Sequence, residues 1–588
     1  MKDEAGYLKL ALAAGLLTGL GETCLLLVKR FLRDRFITVG EHTFWMAPLA
    51  DALLFVLLAA GFLLLTRTFV PARRHRLFAV LLVSLSLMTM LTLWGRLHWA
   101  AAMLVSLGVG LRAGDFLARR LIQLEQWGSR AVPAMLILVV LIAAGVMGER
   151  KWKERHLGSA TTSASHPNLL LIILDTVRAF NLSLYGHDRP TTPMLERWSA
   201  HATVFDRALA ASSWTLPSHA GMFTGRWQTE LSVLFTRRLD GTYPTLAETL
   251  RDAGYATGGF VANLVYTSRE SGLARGFARY SDFELTFGAF LRSATLTRKI
   301  VDRPRIRWFL NHWHPALWKP AHRVTSEAMD WIDGRQGQPW FAFLNYMEAH
   351  DPENAPAPFD TLFGPPSRQL YWKDLTIQPV PPPAIRARML QGYDGAIAFL
   401  DHQIGALLDS LNARGQLENT IVVISSDHGE EFGEHGRMGH GISLYRTSVQ
   451  VPLIVLAPRC LGNGHREEAP VSLRDLSATL LDLLGIRRHA LPGQSFAKLV
   501  CDPAADPLPH LLFSVLRESP RPGSPTLVTV AADSLRFVSA GDTLDELYNI
   551  DRDPLEQVNL ARTPAGAAES ARFRPLADSI RNLPQGGP

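Results

Sequence analysis

Cysteine is scarce: Cys24, Cys460 and Cys501 are the only three in 588 residues. No C-x-x-C pair or Cys/His spacing is present, which excludes a structural zinc module of that kind. Cys24 lies inside an apolar run and reads as a small core residue. Cys460 and Cys501 could pair if their domain faces an oxidising compartment. Helix-turn-helix, zinc-finger and aromatic-basic RNA motifs are also missing, so no nucleic-acid partner is expected. The net charge of +6 does not restore one. The basic residues cluster beside apolar runs, which suits anionic lipid headgroups better. No internal repeat is visible.

The sequence does have long apolar runs, and they are unevenly spread. Hydrophobic residues make up 47% of the chain, an ordinary share, but the runs crowd into residues 1–150. Five segments there are candidates to cross a bilayer: Leu8–Val28, Trp45–Leu65, Leu77–Trp94, the short Trp99–Leu111, and Ala131–Met147. The first lacks a small-x-small cleavage site followed by polar chain, so it reads as a retained span rather than a signal peptide. Arg67, Arg73, Arg74, Arg76, Arg112, Arg119, Arg120 and Arg130 would fall on the inner side. This weak positive-inside bias puts the large C-terminal domain outside the cytoplasm if the span count is five. Four spans would reverse that.

Residues 151–166 have the composition of a linker, with Gly158–Ser165 small and polar throughout. From Pro167 onward the pattern changes to alternating strands and helices. Leu169–Leu174, Ala256–Val261, Trp340–Tyr346, Thr420–Ser425 and Val451–Leu456 read as buried strands. Thr245–Ala253 and Arg386–Arg414 read as helices. The alternation predicts an α/β domain with helices on both faces of a mainly parallel sheet. The last residues, from 563, look like a loose tail.

Ligands of such sheets bind beyond the C-terminal strand ends, so the polar residues placed there carry the search. Asp175 follows the first strand, and Asp427 and His428 follow Thr420–Ser425. Thr215 lies in Ser213-Trp-Thr-Leu-Pro-Ser-His219, where Pro217 and Ser218 suggest a turn or helix start. Taken singly, each has an ordinary reading as a cap or polar loop residue. Taken together and in order, two carboxylates, an imidazole and a hydroxyl make a divalent-metal site. Zinc or manganese suits the mixed donors; calcium or magnesium would prefer oxygen alone.

These blocks resemble the sulfatase/alkaline-phosphatase superfamily. Thr215-Leu-Pro-Ser-His219 followed by Thr224-Gly225 is similar to the sulfatase signature C-x-P-S-R…T-G, with threonine in the cysteine position. Leu174–Arg178 resembles the first metal-binding block, and Ser426–Glu430 with Gly433–Gly436 the second. Phe343–His350 resembles the strand that ends in an active-site histidine. Leu547–Pro554 with Asn559-Leu560 resembles the family's C-terminal segment. The resemblance implies an α/β sandwich around a mixed, mostly parallel sheet, with a small C-terminal sheet subdomain. It implies metal ligands Asp175, Asp427, His428 and Thr215, the last also as nucleophile. It implies that His350 and His440 hold anionic oxygens or protonate the leaving group. Glu434 and His435 would only shape their loop.

His440 stands where many sulfatases have lysine, and in this it looks like the membrane-bound phosphoethanolamine and lipoteichoic-acid phosphoglycerol transferases. Threonine cannot become formylglycine, Thr176 replaces the usual second aspartate, His219 the signature arginine, and Phe180-Asn181 a common Asp-His. The resemblance therefore points to a bacterial inner-membrane, multi-pass enzyme with an extracytoplasmic catalytic domain. It would move a headgroup from a phospholipid donor to a glycan or lipid acceptor, and the Arg- and Trp-rich stretch Leu291–Lys319 would lie at the interface. A sulfuric or phosphoric ester hydrolase is the alternative, and a degenerate envelope scaffold a further one. The expected organisation is a transmembrane domain 1–150, a linker 151–166, a catalytic domain 167–500, a C-terminal subdomain 501–562 and a tail 563–588.

Overall fold

A computed structural model describes the chain apart from residues 1–3, 34–39, 94–96, 158–165, 304–305, 307–317, 336, 352, 354, 367–379, 459, 461–463, 487–490, 507–510, 520–522, 542–544 and 587–588. It divides into two compact units. One holds Met1–Trp152 together with Phe283–Leu317; the other holds Lys153–Asp282 and Trp318–Pro588.

The first unit contains five helices long and apolar enough to cross a membrane: α1 (Glu4–Arg33), α2 (Thr43–Leu65), α3 (Pro71–Leu93), α4 (Trp99–Ala118) and α5 (Leu121–Leu157). The helix α5 runs through residues 151–157, which composition assigned to a linker. Close packing of α1 on α2 depends on Gly15 and Gly19, spaced as small-x-x-x-small. A Cβ at Gly19 would lie 2.4 Å from the Pro48 Cα, so any side chain there separates the helices. Glu22 continues this inward stripe and is fully buried, with Asp51 of α2, also buried, beside it. Cys24 falls two residues further, about 200° around the helix, and is exposed rather than a core residue. On α4 and α5 the outward residues are large and apolar, among them Leu104, Val140 and Leu141.

Residues 283–317 were expected within the catalytic domain, yet they belong to this helical unit. Two short helices from them, Phe287–Ser293 and Thr295–Val301, pack against α2 and α3. Thr295 donates its backbone N–H to Glu22 Oε2 at 3.2 Å and its hydroxyl to Oε1. Most of the Arg- and Trp-rich part, residues 304–305 and 307–317, lies outside the described residues.

The second unit is built on an eight-stranded sheet: β1 (Asn168–Leu174), β2 (Thr203–Phe205), β3 (Ala256–Val261), β4 (Arg279–Ser281), β5 (Trp340–Tyr346), β6 (Thr420–Ser425), β7 (Leu453–Leu456) and β8 (His465–Glu467). Their spatial order is β8-β2-β7-β6-β1-β5-β3-β4. β1 pairs in parallel with both β5 and β6, whereas β7 runs antiparallel to β6, so the sheet is mixed. Both faces of β1 are covered. Leu169, Leu171 and Ile173 pack with helix α6 (Thr215–Thr224) on one side. Leu170, Ile172 and Leu174 pack with helix α7 (Pro383–Ala413) on the other. That is why the run is uninterruptedly apolar. The expected strand Val451–Leu456 is broken at Pro452, which has no N–H for the ladder. Gln450-Val451 pairs instead with Ala208-Leu209 in a separate small sheet.

A four-stranded antiparallel sheet closes the chain: β9 (Leu512–Leu516), β10 (Leu527–Ala532), β11 (Leu535–Ser539) and β12 (Asp545–Asn549). The stretch read as a loose tail is helix α8 (Pro564–Arg581). Thr563 caps it by accepting from Gly566 N at 3.0 Å, and Pro564 takes the first helical position. Phe573, Leu576, Ala577 and Ile580 form an apolar stripe that packs with Val528, Val530, Phe537 and Leu547. Cys460 and Cys501 are joined as a disulfide.

Candidate active site

Two parallel neighbours, β1 and β6, end side by side, and their end residues meet. Asp175 N donates to Tyr346 O at 2.8 Å, which carries the β1–β5 pairing one residue past the strand. Thr176 then takes a left-handed backbone (φ 65°), unusual for a threonine. The neighbours fix it there. Its N–H donates to Asp427 Oδ1 at 3.2 Å, its hydroxyl to Asp175 O, and its carbonyl accepts from Tyr393 of α7. Ser426 ties the same turn together, accepting from Val177 N at 3.0 Å and donating to His428 O at 2.7 Å.

The turn buries two carboxylates against each other. Asp175 Oδ2 accepts from Asn263 Nδ2 at 2.8 Å, and Asp427 Oδ1 accepts from the His428 backbone N–H at 2.9 Å. Their other oxygens, Asp175 Oδ1 and Asp427 Oδ2, are buried with no hydrogen-bond partner. Burial, with the Asp175 charge beside it, pushes the Asp427 carboxyl well above the usual carboxylate range. His428 donates Nδ1–H to Gly429 O at 3.0 Å, which leaves the Nε2 lone pair free. Burial and the neighbouring His440 hold this imidazole well below its ordinary value, so it is neutral. Ligand atoms of Asp175, Asp427 and His428 all lie within 4.8 Å of one another. Two orphaned carboxylate oxygens and one neutral imidazole nitrogen fit a single divalent cation.

Thr215 is the first residue of α6 and is 1% exposed. Its Oγ1 lies 3.2 Å from His428 Nε2. No side chain caps this helix, so its first N–H groups and the helix dipole face the same place and favour an anion there. Ser218, one turn on, donates to Asp427 O at 2.5 Å and locks the helix to the metal-binding loop. His219, in the position of the family's arginine, is turned inward. Its ring nitrogen Nδ1 lies 2.8 Å from Thr215 O and 3.5 Å from Asp427 Oδ2, so it braces Thr215 from behind.

Two more histidines complete the site, and their environments differ. The His440 ring lies 4.5 Å from that of His428 and 5.0 Å from that of His350. Burial opposes charge on His440, but Glu430, 3.1 Å from Nδ1, outweighs it and raises the pKa. His350 donates Nδ1–H to Asp351 O at 2.8 Å, and burial lowers its pKa. The two environments thus push the imidazoles in opposite directions, His440 toward its charged form and His350 toward its neutral one.

All six residues singled out from the sequence, Asp175, Thr215, His350, Asp427, His428 and His440, converge at this site. Glu434 and His435 do shape the loop: Glu434 pairs with Arg178 at 2.6 Å, and His435 stacks on Tyr445. Sequence reasoning passed over Asn263, Glu430 and Asn345, whose Nδ2 points to Asp175 Oδ2 at 3.5 Å. Asn263 was within reach, since it is a polar residue just past β3.

The Sulfatase family profile matches residues 167–486, more than half of the chain and the part that holds this site. The chain belongs to the sulfatase family. An uncharacterized sulfatase of Escherichia coli K12 is 25% identical over 419 residues, covering 67% of this chain and 83% of that protein. An arylsulfatase of Clostridium perfringens is 24% identical, covering 71% and 93%. Among solved structures, the phosphonate monoester hydrolase of Agrobacterium radiobacter superposes with a TM-score of 0.57 at 22% identity, covering 71% of this chain and 95% of that one. That likeness concerns the fold. This sulfatase-family chain is therefore a sulfatase-superfamily enzyme, with a possible metal site at Asp175, Asp427 and His428.

Proposed function

We propose that this enzyme is anchored in a membrane by its five apolar helices and transfers a phospho-headgroup from a phospholipid to a glycan or lipid hydroxyl through Thr215. The observation that carries the reading is a threonine hydroxyl 3.2 Å from His428 Nε2, at a helix N-terminus, beside two unpaired carboxylate oxygens. A threonine cannot yield formylglycine, so the sulfatase route by an aldehyde hydrate is closed to it. It can attack phosphorus directly if its hydroxyl is activated. Asp175, Asp427 and His428 would hold a divalent cation, which supplies a lowered hydroxyl pKa and offsets transition-state charge.

The chain's own residues do the rest. The Thr215 Oγ1–P bond forms and the P–O bond to the diacylglycerol oxygen breaks. His440, kept charged by Glu430, gives its Nε2 proton to that oxygen, and neutral His350 takes the hydroxyl proton of Thr215. The α6 N-terminus binds the phosphoryl oxygens. The Cys460–Cys501 disulfide suits a domain outside the cytoplasm, as in a bacterial inner-membrane enzyme facing outward.

Ester hydrolysis is the second reading, favoured by the names of the relatives. The two part on one experiment. Full-length protein in detergent is given a fluorescent phospholipid and, separately, an aryl sulfate. Transfer predicts a phosphorylated Thr215 by mass spectrometry, and headgroup release that is lost by about 10³-fold or more in Thr215→Ala. Aryl sulfate turnover with no lipid consumption and no adduct on Thr215 would sink the transfer reading.

A further inference from the structure

The groups around Thr215 are mostly buried, and besides His350 the partly buried ones include three aromatic rings. Trp214, Phe235 and Tyr266 come from three separate segments and are each only partly buried. Trp214 precedes the nucleophile, Phe235 lies in the turn bridged by Leu234 and Arg237, and Tyr266 follows β3. Their rings form a corner. The centroids lie 4.8 Å apart for Trp214–Phe235, 5.2 Å for Trp214–Tyr266 and 6.0 Å for Phe235–Tyr266, with interplanar angles of 54°, 81° and 48°. The indole also lies 4.9 Å from the ring of His440. Fully burying a large aromatic side chain is worth about 1.5–3 kcal/mol, and each of these rings leaves part of that unrealised, which an occupant covering all three would recover.

One further residue is committed to this arrangement. Gly441 has φ 70°, and a Cβ built on it would lie 2.0 Å from Trp214 Cε3. Only glycine lets the indole lie over the turn that carries His440.

We propose that Trp214, Phe235 and Tyr266 form a subsite for a saccharide ring, on which the hydroxyl-bearing acceptor lies while it attacks phospho-Thr215. This rests on the transfer reading above. In two successive in-line displacements at one phosphorus, the departing and the incoming alcohol occupy the same side, opposite Oγ1. His440 serves that side, and Trp214 of the aromatic corner lies beside the His440 ring, tilted 37° to it. In the second step the acceptor O–P bond forms and the P–Oγ1 bond breaks. The acceptor's proton goes to the His440 imidazole left neutral by the first step, and His350 returns to Thr215 Oγ1 the proton it took, so both histidines regain their starting states and no co-reactant is needed.

The rim of the corner is polar and suits a hydroxylated ring. The Phe235 N–H donates to Glu518 Oε2 at 2.8 Å, and Thr236 and Arg237 beyond it are exposed. Aromatic faces with a polar rim bind the C–H face of a pyranose and leave its hydroxyls in water.

The test uses the full-length chain in detergent with fluorescent phospholipid as donor. The acceptor probes are methyl β-D-glucopyranoside, N-acetylglucosamine and the acyclic polyol sorbitol. Native protein is expected to saturate with the pyranosides at least about ten-fold sooner than with sorbitol. Tyr266→Ala and Phe235→Ala should raise the half-saturating pyranoside concentration about ten-fold, with a much smaller fall in Thr215 loading. Tyr266→Phe and Phe235→Tyr should restore saturation. Saturation-transfer NMR of the unloaded chain reads pyranoside contact independently of turnover. Pyranoside saturation within two-fold of native in both alanine variants, or equal weakening for sorbitol, would overturn the subsite. Pyranoside contact that depends on Tyr266, without any adduct on Thr215, would retain the subsite and overturn only the transfer reading. No contact and no saturation in native protein overturns both.

Discussion

Asp427 carries an electrostatic conflict that a cation resolves. It is fully buried next to Asp175, with one oxygen unpaired, so its negative charge is costly unless shared. Zinc or manganese at 100 times its dissociation constant should raise stability by about 2.7 kcal/mol, seen as a higher melting temperature. Asp427→Asn and His428→Ala should lose that shift and most turnover, with little loss of folded protein in chelator. An undiminished metal-induced shift in both variants would remove the metal assignment.

Glu348, at the end of β5, is buried and pushed up to about 7 by burial, although it accepts from Ala321 N at 2.5 Å. The folded chain therefore holds a proton there more tightly than the unfolded chain does. The resulting stability is full below about pH 4.5 and is lost as pH rises through about 7. Its upper bound is about 3 kcal/mol by the same arithmetic. Urea melts at pH 5 and pH 8 should differ less in Glu348→Gln than in native protein; an identical difference would dismiss the effect.

At the scale of elements, the loop that carries His440 is held by the C-terminal sheet. Arg536 of β11 makes a buried ion pair with Glu556 and also donates to Leu444 O. Glu556 accepts from Arg446 N at 2.7 Å, and His435 bonds Leu555 O at 2.9 Å. Breaking the pair from one side strands a buried charge. Arg536→Leu should cost about 3–5 kcal/mol and slow turnover through the His440 loop. The double variant Arg536→Leu/Glu556→Leu should recover much of that stability in thermal melts. Simple additivity of the two losses would show that the residues do not act as a pair.

Legibility varied among elements for physical reasons. β1 and β6 were readable because both faces are covered and the runs Leu169–Leu174 and Ile421–Ile424 are wholly apolar. The residues just past them were readable because strand ends collect ligands. Pro452 defeated the reading of Val451–Leu456, since apolarity continues across a position that cannot join the ladder. Alanine, arginine and proline disguised α8, whose stripe is only four residues. Cys24 misled because an apolar helix has no polar face to reveal which side is inward. Glu430 was quoted within a motif, but its influence on His440 arises from contacts that only the folded loop makes. The aromatic corner was invisible for the same reason, being drawn from positions 214, 235 and 266.

At the scale of the whole molecule, the chain visits its helical unit twice, first through residues 1–152 and again through residues 283–317. Thr295 hydrogen-bonded to Glu22 belongs to that second visit. A polypeptide stitched in this way has no single thread to snip. On the proposed membrane-anchored reading, a protease site placed within residues 158–165, once cut, should leave the ester-cleaving half sedimenting with the vesicles. Release into the supernatant would require further cuts on either side of residues 283–317. On that reading the enzyme should resist shedding, and a shortened form beginning at Pro167 would still carry an orphaned piece of the helical unit.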